Sequence, residues 1–200
     1  MLPHTAAAID LSRFPLAARA DQYAEAVHGA LRHTRKYSGA PYITHPRAVA
    51  AIVAAVLPAE DPQTDAALAA ALLHDVLEMS NRTKADLERH FGGAVADMVE
   101  WLTDETLGET LRARRAPRRE RLAASNARLA RAPQVVKTIK LGDILHNTES
   151  IVEVAPKFAA FYVLEKWASL EALKGGHPAL WDRARAQLQE ADRATRAQPA

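Results

Sequence analysis

The sequence predicts an all-α protein, a single helical bundle of about eight to ten helices. Three observations carry that expectation. Apolar residues recur at intervals of three and four through most of the 200 residues. No run alternates polar and apolar residues for long enough to form a strand. Proline, glycine pairs and a Thr-x-x-Asp signal punctuate the periodic runs where helices should start and stop. Residues 1–15 read as a flexible N-terminal segment and residues 16–195 as the folded domain.

Taken in order, residues 17–36 carry Tyr23, Ala26, Val27, Ala30 and Leu31 at helical spacing, and Tyr37-Ser38-Gly39-Ala40-Pro41 breaks the pattern. Pro46 suits the first turn of a second helix that runs to about Leu57 and stops at Pro58. Residues 65–78 are rich in alanine and leucine, a composition expected of a helix buried nearly all round. Thr83 with Asp86 three residues on predicts an N-cap and a short helix ending before Gly92-Gly93. Further helices are expected over 93–102, 117–130, 135–154, 156–173 and 178–194, with Gly175-Gly176 separating the last two.

Composition narrows the function. The chain has no cysteine, which removes disulfides, thiolate catalysis and zinc-finger chemistry together. Its formal charge of +2 with eight histidines is too small an excess to predict nucleic-acid binding. No apolar run is long enough for a membrane span and no targeting signal is evident, so the expectation is a cytoplasmic protein with neither membrane nor nucleic-acid partner. The excess charge is clustered: Arg112, Arg114, Arg115, Arg118, Arg119 and Arg121 read as a solvated loop and helix start, or alternatively as a basic rim for a polyanionic small molecule.

Three segments place metal-ligating side chains where apolar ones are expected. His45 lies in PYITHP, just before a helix. His74, Asp75 and Glu78 interrupt the apolar run AALLHDVLE, where helical spacing would put His74 and Glu78 on one face. Asp143 and Asn147 lie four apart in IKLGDILHN and share a face. Buried carboxylates need hydrogen bonds or a cation. Two imidazoles and two carboxylates form a mixed nitrogen and oxygen set that suits Mn²⁺ or another octahedral divalent ion better than structural zinc. His28, His33 and His146 read as structural histidines, and Tyr162 and Trp167 as core packing.

These segments resemble the HD superfamily, and within it the hydrolase domain of the RelA/SpoT type, including the stand-alone small alarmone hydrolases. The resemblance runs through HGALRHTRKYSGAPYITHP, AALLHDVLE, FGGAVADMVEWLTD and VKTIKLGDILHN, from about Ala26 to Ile151. It implies that His45, His74, Asp75 and Asp143 hold manganese. It further implies that Arg35 and Lys36 hold the nucleotide base or phosphates, that Asn147 lies near the ribose and reactive phosphate, and that Glu78 works on the attacking water. The implied reaction removes the 3′-pyrophosphate of ppGpp or pppGpp.

The chain departs from the family pattern at Met79, where a second acid normally follows Glu78, and in the Met79-Ser80-Asn81 ending. It also departs at Ile144, where a basic residue is usual, and at Thr148-Glu149, where an arginine is usual. Alternative readings are therefore a phosphatase on another nucleotide, such as ppApp or NADPH, and a catalytically weak nucleotide-binding regulatory domain. With no synthetase-like second region in the sequence, a degrader of its substrate is expected. A homo-oligomer is compatible with all of these readings.

Overall fold

Pro15 opens the first helix, α1 (Pro15–Ala30), because a residue without an amide hydrogen costs nothing in a helical first turn. In this computed structural model, which describes residues 9–103 and 117–197, α1 is preceded by a short 3₁₀ turn at Leu11–Arg13. The chain divides into two compact units, Met1–Thr103 and Asp104–Ala200. Among the described residues secondary structure is helical apart from one isolated bridge, Thr34 with Pro41. The all-α expectation is met. No helix among the described residues is long and apolar enough to cross a membrane.

The first unit is organised around small residues. Helix α1 buries Ala17, Ala20, Ala24, Val27 and His28, a narrow stripe that lets another backbone approach closely. That partner is α3 (Pro62–Leu73), which also packs on α2 (Thr44–Ala54). Every residue of α3 from Ala67 to Leu73 is buried, as its composition predicts. One polar residue of α3 serves α1 directly: the Asp65 carboxylate accepts hydrogen bonds from the amides of Leu16 and Ala17 at 3.0 and 2.8 Å. These amides belong to the first turn, where no intrahelical acceptor exists.

Helix α1 ends six residues before the predicted boundary at Lys36. The Arg32 amide donates to Gly29 and the His33 amide to His28, with Arg32 at φ 52°. This is a Schellman stop with arginine at the left-handed position that glycine ordinarily fills. The predicted helix over 65–78 is also divided. It breaks at His74-Asp75 and resumes as the short α4 (Val76–Met79), so His74 and Glu78 do not share one continuous helix. His74 Nδ1 lies 2.8 Å from the Ala71 carbonyl and shares that last-turn acceptor. Helix α5 (Lys84–Phe91) begins with the predicted cap, a full capping box between Thr83 and Asp86. Gly92 then turns the chain at φ 85° into α6 (Gly93–Leu102), which packs on α5 and α3.

The second unit holds α7 (Arg118–Leu129), α8 (Gln134–Thr148), α9 (Ile151–Val154), α10 (Pro156–Ala172) and α11 (Pro178–Arg196). The single helix expected over 135–154 is two, separated at Glu149-Ser150. Three anchors fix α8. The Gln187 side-chain amide donates to the Leu145 carbonyl and the Thr148 hydroxyl, each at 2.7 Å. The His177 amide donates to Thr138 Oγ1 at 3.0 Å. Gly176 passes so close that a Cβ there would lie 2.7 Å from Leu141 Cδ1, which excludes any larger residue without a shift.

Candidate active site

His45 occupies the first turn of α2, and His74 and Asp75 the break between α3 and α4. These elements pack together, so residues 29 positions apart in sequence become neighbours. Both imidazoles are buried, at 1 % exposure. Their Nε2 atoms converge on a single carboxylate oxygen: Asp75 Oδ2 lies 3.6 Å from His45 Nε2 and 3.1 Å from His74 Nε2. The rings stand edge to face with centroids 5.0 Å apart.

A residue that the sequence reading passed over completes this group. The Tyr42 hydroxyl donates to Asp75 Oδ2 at 2.6 Å. Tyr42 lies in the PYITHP segment already singled out for His45, but tyrosine carries no ligand signal of its own. The Arg35 guanidinium sits 5.8 Å from the centre of the Tyr42 ring. The loop bearing it is held by the Thr34–Pro41 bridge and by the Arg35 amide donating to the Ala40 carbonyl at 2.8 Å. Arg35 is thereby brought beside the tyrosine that touches Asp75. Lys36 Nζ lies 5.3 Å from the centre of the exposed Tyr37 ring. Glu78 and Met79 lie in α4 and are partly exposed.

His28 is more than a passive core residue in its effects on charge. It is buried against Tyr42, ring centroids 4.8 Å apart, with Nδ1 3.2 Å from His33 Nδ1. Burial pushes its imidazole down to about 4, against the pull of the Asp75 carboxylate, so it is neutral at pH 7.

In the second unit, Asp143 and Asn147 share a face of α8 as their spacing predicts. Asn147 Nδ2 donates to Asp143 Oδ1 at 2.5 Å, and Lys140 Nζ lies 2.9 Å from Asp143 Oδ2. Asp143 is buried. Lys140 was legible one turn before Asp143 but was not read as part of the site. Of the arginine cluster, Arg112, Arg114 and Arg115 lie outside the described residues. Arg118 is exposed at the start of α7, as a solvated helix start would be, and it also grips buried Glu165 through two hydrogen bonds of 2.6 and 2.8 Å and lies over Phe158 and Phe161.

The donor chemistry fits a divalent cation. Two buried imidazole nitrogens and a carboxylate oxygen within 4 Å of each form the nitrogen and oxygen set that Mn²⁺ and similar ions take. Tyr42 holds the carboxylate as an outer hydrogen-bond donor would.

A family model described as an HD domain matches residues 20–176. The guanosine-3′,5′-bis(diphosphate) 3′-pyrophosphohydrolase MESH1 of Xenopus tropicalis is 38% identical over 139 residues, spanning 68% of this chain and 70% of that protein. Its counterpart in Danio rerio is 32% identical over 164 residues, spanning 79% of this chain and 84% of that protein. A solved structure described as a metazoan ortholog of SpoT that hydrolyses ppGpp superposes with a TM-score of 0.72 at 24% identity, covering 89% of this chain and 94% of its own. At that identity the superposition speaks for the fold.

Proposed function

Since the chain belongs to the HD domain family, we propose that it is a Mn²⁺-dependent hydrolase that removes the 3′-pyrophosphate of ppGpp-like nucleotides in the cytoplasm. The observation that carries this reading is the convergence of His45 and His74 on one oxygen of Asp75, itself held by Tyr42. Relatives named as 3′-pyrophosphohydrolases support the choice of substrate.

In this proposal His45, His74, Asp75 and Asp143 together hold the ion. Such an ion supplies Lewis acidity toward a phosphoryl oxygen and makes water a better nucleophile at neutral pH. Glu78 accepts a proton from the attacking water. Water adds to the phosphorus on the 3′ oxygen, that P–O bond breaks, the ribose oxygen takes a proton, and pyrophosphate is released. Asn147 lies beside Asp143 and suits the ribose side of this bond. Arg35 and Lys36 offset the negative charge of the nucleotide phosphates.

Incubating the purified chain with Mn²⁺ and separately with ppGpp, ppApp and NADPH tests the reading. Release of pyrophosphate from ppGpp is expected. Orthophosphate from NADPH, or pyrophosphate from ppApp alone, would redirect the substrate. Binding of ppGpp without turnover would make the chain a nucleotide-binding regulator instead. Unchanged manganese content and activity in Asp75→Ala would overturn the ligand assignment.

A further inference from the structure

Helix α10 is seated in its unit through the buried stripe Ala159, Val163 and Leu170. Its opposite side is apolar as well. Ala160, Phe161, Leu164 and Ala168 are exposed there, Phe161 by 50 % and Leu164 by 63 %. Helical spacing puts all of them on one face, bordered by partly exposed Trp167 and by Arg118 over the Phe161 ring. The water-facing side of a helix ordinarily carries charged residues. A contiguous apolar face there marks a surface on which something packs.

The charges on this face stand at its two ends. Lys157 lies seven residues before Leu164 and Glu171 seven after it, both exposed. Two turns of helix return each of them to the face of Leu164. Among the described residues Lys157 forms no ion pair, and Glu171 pairs with Lys174 at 2.6 Å, both side chains well exposed. Such a surface pair is weak and readily shared. The face therefore runs from a cation through an apolar centre to a carboxylate, with Leu164 at its midpoint. Turned end for end, it is its own complement.

We propose that this face of α10 is a self-association surface, on which two copies of the chain lie antiparallel about a two-fold axis through Leu164. In such a contact the same patch serves both copies. Residues equidistant from Leu164 then face one another. Lys157 of each copy meets Glu171 of the other, Phe161 meets Trp167, Ala160 meets Ala168, and the two Leu164 side chains meet on the axis. The alanines let the helices approach, and the aromatic rings fill the space beside them. Antiparallel placement also sets the positive end of each helix dipole beside the negative end of the other. From Lys157 to Glu171 the helix is about 21 Å long. One helix pair of that length covers less than the roughly 800 Å² per partner of a standard interface. The dimer is accordingly weak and reversible, with a dissociation constant on the order of tens of micromolar.

Sedimentation equilibrium of the full chain from about 1 to about 500 µM spans that range. The mean mass should rise from one chain towards two and no further. Leu164→Glu places like charges on the axis and should weaken association at least about tenfold. Because Leu164 is exposed, helical content and thermal midpoint should be retained in that variant. Lys157→Glu and Glu171→Lys should each weaken the dimer, and the two together should restore it, since the double reversal recreates the pair across the axis. A wild-type chain that stays monomeric throughout, or that grows beyond two copies, would overturn the proposal. So would association that Leu164→Glu leaves unchanged. Failure of the double reversal to restore what the single ones lose would overturn the antiparallel pairing.

Discussion

The Tyr42 hydroxyl donates a 2.6 Å hydrogen bond to the same Asp75 oxygen on which the His45 and His74 nitrogens converge. Tyrosine here fixes the direction of a carboxylate and leaves its charge intact. Removing such an outer partner commonly costs ten- to a hundredfold in metal affinity or activity, by order of magnitude about. Tyr42→Phe should weaken Mn²⁺ binding by roughly that factor. Titration calorimetry would show it, and an unchanged affinity would mean that Asp75 is oriented by other contacts.

His28 makes stability depend on pH in a definite direction. Its folded-state value, near 4, lies below its ordinary 6.5, so the unfolded chain takes up the proton first. The stability tied to neutral His28 is full above pH 6.5 and is lost as pH falls toward 4. The loss amounts to roughly 3 kcal/mol across the window at most. Urea melts at pH 7 and pH 5 should show the decline in wild type, and His28→Gln should flatten it. A slope unaltered by the substitution would assign the acid sensitivity to another group.

Asp65 should matter for folding and little for chemistry. Its carboxylate satisfies two first-turn amides of α1. Asp65→Ala should destabilise the chain by about 1–2 kcal/mol, the usual cost of a lost helix cap. Chemical denaturation measures the loss, and Mn²⁺ affinity should be retained.

Met79 stands directly after Glu78 in α4, where the resembled family carries a second acid. A second carboxylate there would assist Glu78 in handling the proton of the attacking water. Met79→Asp should raise kcat on ppGpp by roughly tenfold or more, the lower reach of general acid–base effects. No gain in a steady-state assay would show that the segment has been rebuilt around methionine.

Much of this molecule was determined by local pattern. Periodicity and caps gave the helical class, the Thr83–Asp86 capping box and the limits of α6, because each depends on residues within a few positions of one another. His45, His74, Asp75 and Asp143 were conspicuous for the same reason: polar ligand types set in apolar runs. Where local rules failed, a contact from elsewhere or an unusual backbone had won. Helix α1 stops at a left-handed arginine that no propensity favours. The break at His74-Asp75 occurs in a run with neither glycine nor proline. Tyr42 was invisible as a site residue, since a tyrosine acquires its role from what packs against it. Spacing along the chain sets which face a side chain takes. Only tertiary packing decides which carboxylate it meets, how much water is removed there, and so what its charge can do.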